Sequence, residues 1–154
     1  MSFTLKAQEM ETVNNTVVQL FIATDQRDWE ALDQLFAPEV ELDYLSMSGS
    51  PAAKLSPQEI ADSWKAVLPG FEFTHHQLGN ILTTVEGGYA HVFCYGTATH
   101  FLTDEAGNVW TVVGTYDFDL HKQVGAWKIT KMKFNFKYQD GNTGLPVKAM
   151  EKAK

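Results

Sequence analysis

The sequence predicts an α+β fold, with N-terminal helices packed on one side of a strongly curved antiparallel sheet. Three observations carry this expectation. Apolar residues recur at helical spacing through the first half, apolar and polar residues alternate through long segments of the second half, and the connections between those segments are short. Helices first and a meander afterwards place the helices on one face of the sheet. The 154 residues read as one domain, 1–154, with no internal repeat, linker or low-complexity tract.

Taken in order, Met10, Val13, Val17, Leu20 and Phe21 define an amphipathic helix ending near Thr24. A shorter helix carries Trp29, Leu32, Leu35 and Phe36 and stops at Ala37-Pro38, because a residue before proline resists helical geometry. In VELDY, Val40, Leu42 and Tyr44 alternate with Glu41 and Asp43, as in a half-buried strand. SMSGSPAAK reads as a loop. SPQE then opens a third helix, with Ser56 as N-cap, Pro57 as first helical residue and Glu59 as reciprocal partner. Ile60, Trp64, Val67 and Leu68 form its buried face, and Pro69-Gly70 ends it.

Four strands follow: HQLGNILTTVE, YAHVFCYGTATHFL, VWTVVGTYDFDL and AWKITKMKFNFKY. In the last, Trp127 and Ile129 share one parity while Met132, Phe134, Phe136 and Tyr138 hold the other. An extra residue near Thr130-Lys131 restores a continuous apolar face, so a β-bulge is expected there. A sheet this bent over helices forms a cone with a mouth, a concavity that ligands favour.

Composition narrows the function classes. A net charge of −7 disfavours a nucleic-acid partner, and the scattered charges form no basic patch for an anionic membrane. The single cysteine, Cys94, has no intramolecular disulfide partner and sits among apolar neighbours, as a reduced buried thiol does. The N-terminus lacks an apolar signal region and no run reaches membrane-spanning length, so a cytoplasmic location is expected. Parity scatters the histidines to opposite faces and no Cys pair or His-Glu-x-x-His pattern occurs, so no metal and no cofactor are expected.

Parity also selects the chemical residues. In FTHHQLGN, adjacent histidines point to opposite faces. His76 shares its side with Leu78, Asn80 and Leu82, whereas His75 goes with Gln77 and Gly79, so His76 is expected inside. On the next strand Ala90, Val92, Cys94, Gly96, Ala98, His100 and Leu102 form one apolar face, with His100 its one ionisable imidazole. Trp110, Val112, Gly114, Tyr116 and Phe118 line up likewise, and Tyr44 shares parity with Val40 and Leu42. An imidazole can take a proton near neutral pH and a phenol can donate to a developing oxyanion. Singly, each has a structural explanation: a hydrogen-bonded core histidine, a packed tyrosine, or, for Asp25, a helix cap.

DQRDWEALDQLFAPEVELDY, together with THH, ATH and the closing GTYDF…WKI, resembles the SnoaL-like branch of the NTF2-like (cystatin-like) superfamily, and within it the scytalone dehydratases. The resemblance covers nearly the whole chain. Its most specific part is Asp-x-x-x-Trp, then Ala-Pro, then Leu-Asp-Tyr. It implies a cone-shaped fold and a catalytic set of Asp25, Tyr44, His76 and His100 acting without a cofactor. By the same resemblance His76 is the general base, Asp25 its orienting carboxylate, Tyr44 the donor to the enolate oxygen, and His100 the proton source for the departing hydroxyl. Thr24, Trp64, Tyr116 and Asn135 are the expected substrate-binding residues. Thr24 departs from the family pattern, which has a tyrosine there, and Gly114 and Tyr116 replace a serine and an asparagine of the pocket floor, so the substrate should differ from scytalone.

The expectation is therefore a lyase that removes water from a cyclic or polycyclic hydroxy-carbonyl compound. A polyketide cyclase or isomerase of the same superfamily, or a non-catalytic small-molecule-binding protein, remains as the alternative. Gly96, Ala98 and Gly114 are expected to keep the pocket open. The face bearing Phe93, Tyr95 and Phe101 suggests a homo-oligomer, dimer or trimer. The tail from Asp140 onward is expected either to cover the mouth or to fray.

Overall fold

The computed structural model describes residues 2–154. Helix α1, Phe3–Gln26, starts at the Ser2 N-cap, whose hydroxyl accepts the Leu5 N–H, and ends at Arg27 in the left-handed conformation. One stripe of α1, including Val13, Val17, Leu20 and Phe21, is buried against the sheet. The short α2, Trp29–Asp33, is capped by Asp28. It ends earlier than its apolar spacing suggests. Phe36 and Ala37-Pro38 belong instead to strand β1, Phe36–Asp43, because pairing with the last strand outweighs helical spacing in this segment.

The stretch expected as a loop contains a one-turn helix α3, Leu45–Ser48, and an edge strand β2, Ala53–Leu55, paired antiparallel to β1. Helix α4, Pro57–Lys65, has the anticipated capping box: Glu59 N–H donates to the Ser56 hydroxyl while the Glu59 carboxylate accepts the Ser56 N–H. Leu68–Gly70 form a 3₁₀ turn after it.

Strands β3 (Phe73–Glu86), β4 (Tyr89–Phe101), β5 (Val109–Gln123) and β6 (Ala126–Gly141) are the meander. The six strands are ordered β2-β1-β6-β5-β4-β3, so β1 joins the far side of β6, and that one pairing is parallel. The α+β arrangement holds, with α1 across the inner face of a mostly antiparallel sheet. Ala90, Val92, Cys94, Gly96, Ala98, His100 and Leu102 are all buried, as their shared parity requires.

The bulge falls at Thr130: Asp119 pairs with Lys131 and Leu120 with Ile129, leaving Thr130 as the extra residue. A second, at Lys137, was not foreseen, and beyond it Tyr138 turns to the outer face and is 57% exposed. A third lies in β3, where Asn80 adopts a φ of 49° and Asn80-Ile81 together oppose Cys94. It reverses parity downstream: Leu82 turns out, 69% exposed, while Ile81 packs on the core and Val85 is buried within it.

The tail is neither frayed nor over the mouth. Helix α5, Leu145–Lys152, packs on the 3₁₀ turn with Leu145 and Ala149 buried. Contact is so close that a Cβ on Gly70 would lie 1.8 Å from the Ala149 carbonyl oxygen. Among the described residues, no helix is long and apolar enough to cross a membrane.

Candidate active site

The last turn of α1 carries Asp25 towards the start of β3, where strand alternation puts Thr74 and His76 on one side. All three meet. The Asp25 carboxylate accepts from the Thr74 hydroxyl at 3.0 Å, from the His76 backbone N–H at 2.8 Å and from His76 Nδ1 at 2.7 Å. Burial alone would raise the carboxyl pKa, but the hydrogen bonds from the His76 ring, its N–H and Thr74 outweigh it and hold Asp25 below the usual value. An ionised carboxylate only accepts, so Nδ1 carries a proton, and in the neutral ring Nε2 keeps its lone pair. Thr74 was not anticipated. The signal for it was its position two residues before His76 on the same strand face.

The His76 ring stacks on Phe21, with centroids 5.3 Å apart, and borders a cavity of about 490 Å³. The other walls come from Thr24, Leu42, Tyr44, Leu55, Trp64, Val67 and Leu68, with Ser48 and Ser63 as additional polar groups. Ser48 lies in the stretch that reads as a loop and Leu55 directly follows it, so neither carries a sequence signal for the wall. Tyr44 sits at the N-cap of α3 with its ring 5.7 Å from that of Phe134. Burial raises its phenol pKa, only partly offset by a hydrogen bond from Tyr116, so the hydroxyl keeps its proton. Thr24 also borders the cavity, and its hydroxyl proton is committed to the Leu20 carbonyl at 2.7 Å.

His100 is buried behind this cavity rather than in its wall. Its ring stacks on Trp110 at 4.3 Å, meets Phe71 at 4.9 Å and lies edge-on to His76 at 5.9 Å. Nδ1 is 3.1 Å from the Trp110 carbonyl oxygen, which can only accept, so the proton is on Nδ1. Burial lowers its pKa to about 4, with the Trp110 bond opposing. With Nδ1–H engaged by the Trp110 carbonyl, Nε2 of the neutral ring is a hydrogen-bond acceptor.

Three further expectations need correction. Tyr116 does not line the cavity: its ring is buried among Phe21, Phe118 and Phe134. Asn135 lies on the opposite face of the sheet, where its Nδ2 donates to Thr115 Oγ1 and to Asp117 Oδ2. Gly96 and Gly114 do not open the pocket: a Cβ at 96 would meet the Tyr116 ring at 2.3 Å, and one at 114 would meet Phe134 at 2.6 Å. The glycines are seats for aromatic rings, and the cavity opens instead between α1, β1, β2 and α4. Among the described residues, no group of three or more His, Cys, Asp or Glu side chains converges as a metal centre would. A groove of about 380 Å³ bounded by Glu86, Tyr89, His91, Asp119 and His121 contains none of the predicted site residues.

Solved structures share this architecture at low identity. The Kfla4162 protein from Kribbella flavida superposes with a TM-score of 0.84 at 20% identity, covering 92% of this chain and 99% of its own. A scytalone dehydratase candidate from Novosphingobium aromaticivorans gives 0.76 at 20% identity, with 87% of each chain covered. The hexachlorocyclohexane dehydrochlorinase LinA-type3 from Novosphingobium barchaimii gives 0.77 at 16%, covering 93% of this chain and 96% of its own. No curated protein sequence matches the chain. The SnoaL-like domain model matches residues 6–133, the span holding Asp25, Tyr44, His76 and His100, and the chain therefore belongs to the SnoaL-like family within the NTF2-like fold.

Proposed function

We propose that the protein is a cofactor-free lyase, dehydratase-like, acting on a neutral cyclic or polycyclic hydroxy-carbonyl compound. The observation that carries this reading is a carboxylate-steered imidazole opening, beside a protonated phenol, into an apolar cavity. His76 Nε2 removes the proton next to the carbonyl, and Asp25 fixes the tautomer and stabilises the imidazolium. Tyr44 donates to the enolate oxygen. With His100 unable to donate, the proton held on His76 passes to the departing hydroxyl on the same face. One C–H and one C–O bond break, a C=C bond forms, and water leaves. His100 then serves as a buried support behind His76.

Relatives of the same fold that carry dehydratase and dehydrochlorinase names support proton abstraction followed by loss of a leaving group. The state of His100 favours a second reading, dehydrohalogenation, since a departing halide needs no proton. A cyclase or isomerase would share the abstraction step, whereas a purely binding protein would not perform it. The apolar outer residues Phe73, Leu82 and Tyr95 support self-association as a dimer or trimer.

The test separates abstraction from elimination. Bicyclic β-hydroxy-ketones are incubated in heavy water and followed by NMR for deuterium entry beside the carbonyl and for enone formation. Both are expected for the wild type, with His76→Gln slowed about 10²–10⁴-fold and Asp25→Asn folded but strongly impaired. Wild-type exchange by both variants would refute the dyad assignment.

A further inference from the structure

Strand β1 runs parallel to β6 as far as Asp43, opposite Lys133, and there the chain leaves the sheet. In a parallel ladder, a bonded residue gives its N–H to one carbonyl of the neighbouring strand and accepts the N–H two residues further along. The next rung, opposite Asn135, needs a donor for the Phe134 carbonyl and an acceptor for the Phe136 N–H. Leu45 is placed in the chain to supply both. Its N–H turns instead to the Asp43 carboxylate at 3.0 Å, and its carbonyl accepts from the Gly49 N–H at 2.9 Å.

A side chain fills the empty rung. The Ser46 hydroxyl donates to the Phe134 carbonyl at 2.9 Å and accepts the Phe136 N–H, also at 2.9 Å. A hydroxyl has one proton and free lone pairs, so a single oxygen replaces both groups of a peptide. Among the described residues, no other hydrogen bond joins α3 to β6, although Met47 adds apolar packing on the core. Helix α3 matters to the site because Tyr44, its N-cap, and Ser48, its last residue, both border the cavity. The Tyr44 ring also lies against Phe134, the residue whose carbonyl Ser46 holds.

We propose that Ser46 is a positioning residue: its hydroxyl completes the β6 ladder in place of Leu45, so that the chain can turn into α3 and still hold Tyr44 at the cavity wall. This rests on the reading of Tyr44 as an oxyanion donor. Without the hydroxyl, the Phe134 and Phe136 groups pass to water, α3 loses its polar tie, and the Tyr44 ring spends less time in place. An oxyanion donor acts mainly as charge develops, so the loss falls on kcat more than on KM.

The test reads position and chemistry separately. Meta-fluorotyrosine incorporated at 44 reports the ring by fluorine NMR without any ligand, and deuterium entry into bicyclic β-hydroxy-ketones reports the reaction. Ser46→Ala is expected to shift or broaden the fluorine resonance, to quicken exchange of the Phe136 amide, and to lower kcat about two- to fivefold with KM nearly unchanged. Ser46→Thr, which keeps the hydroxyl, should restore all three. In a Tyr44→Phe background, Ser46→Ala should cost no further rate. An unchanged fluorine resonance in Ser46→Ala would show that Tyr44 is placed without the clip and would overturn the proposal. A rate loss that persists without the Tyr44 hydroxyl would show general loosening and overturn it equally. Wild-type turnover in Tyr44→Phe, with the resonance still displaced by Ser46→Ala, overturns the oxyanion reading and leaves the clip standing.

Discussion

Asp25 has three donors, and their unequal chemistry lets them be separated. The His76 N–H is fixed by the backbone and the ring N–H by catalysis, but the Thr74 hydroxyl can be removed without altering either. Thr74→Val should raise the carboxyl pKa, since a bond that favours the ionised form is lost. The shift is read directly by NMR titration of the Asp25 carboxyl. The plateau rate should fall about three- to tenfold, the worth of one ordinary hydrogen bond. An unshifted carboxyl titration with a wild-type plateau would mean that the Thr74 bond does not support the dyad. His76, Tyr44 and Asp25 were legible because strand parity and the D-x-x-x-W spacing act over a few residues. The bond from His100 to the Trp110 carbonyl was not, since that carbonyl reaches it only through cross-strand pairing.

Among the elements, α5 gives the clearest handle. Gly70 permits backbone contact with Ala149, and a methyl group there would require α5 to move. Gly70→Ala should cost about 1–3 kcal/mol, as overpacking does, and hydrogen exchange should quicken selectively across 145–152. Uniform protection would show that the helix docks independently of this contact. The α4 cap and the Thr130 bulge could be read in advance, one from a local hydrogen-bond pattern and the other from a phase change in burial. The Asn80 bulge could not. Leu78, Asn80 and Leu82 keep an unbroken alternation in sequence, and only the paired strand shows that Ile81 replaces Leu82 inside. Likewise Phe36 fits the helical spacing, yet it pairs with Ile129 in a strand almost at the other end of the chain.

For the molecule as a whole, the buried His100 sets a pH dependence of stability. Its folded pKa, about 4, lies below the ordinary 6.5, so the unfolded chain binds the extra proton between those values. Stability is thus full above about pH 6.5 and declines as pH falls towards 4, by on the order of 2–3 kcal/mol in all. The depressed Asp25 acts lower down, its contribution present above its unfolded value and lost as pH falls through the folded one. Urea unfolding at stepped pH should show both windows. His100→Asn, which keeps a donor for the Trp110 carbonyl but cannot titrate, should flatten the first and spare the second; an unchanged profile would place the acid sensitivity elsewhere. The strand order has a temporal consequence as well. Asp25, Thr74, His76 and β4 leave the ribosome well before β6, whereas the strand leading to Tyr44 has β6 as its long-range neighbour. A nascent chain can therefore join carboxylate to imidazole while the wall opposite is still missing, and through that interval its apolar interior lies open to solvent.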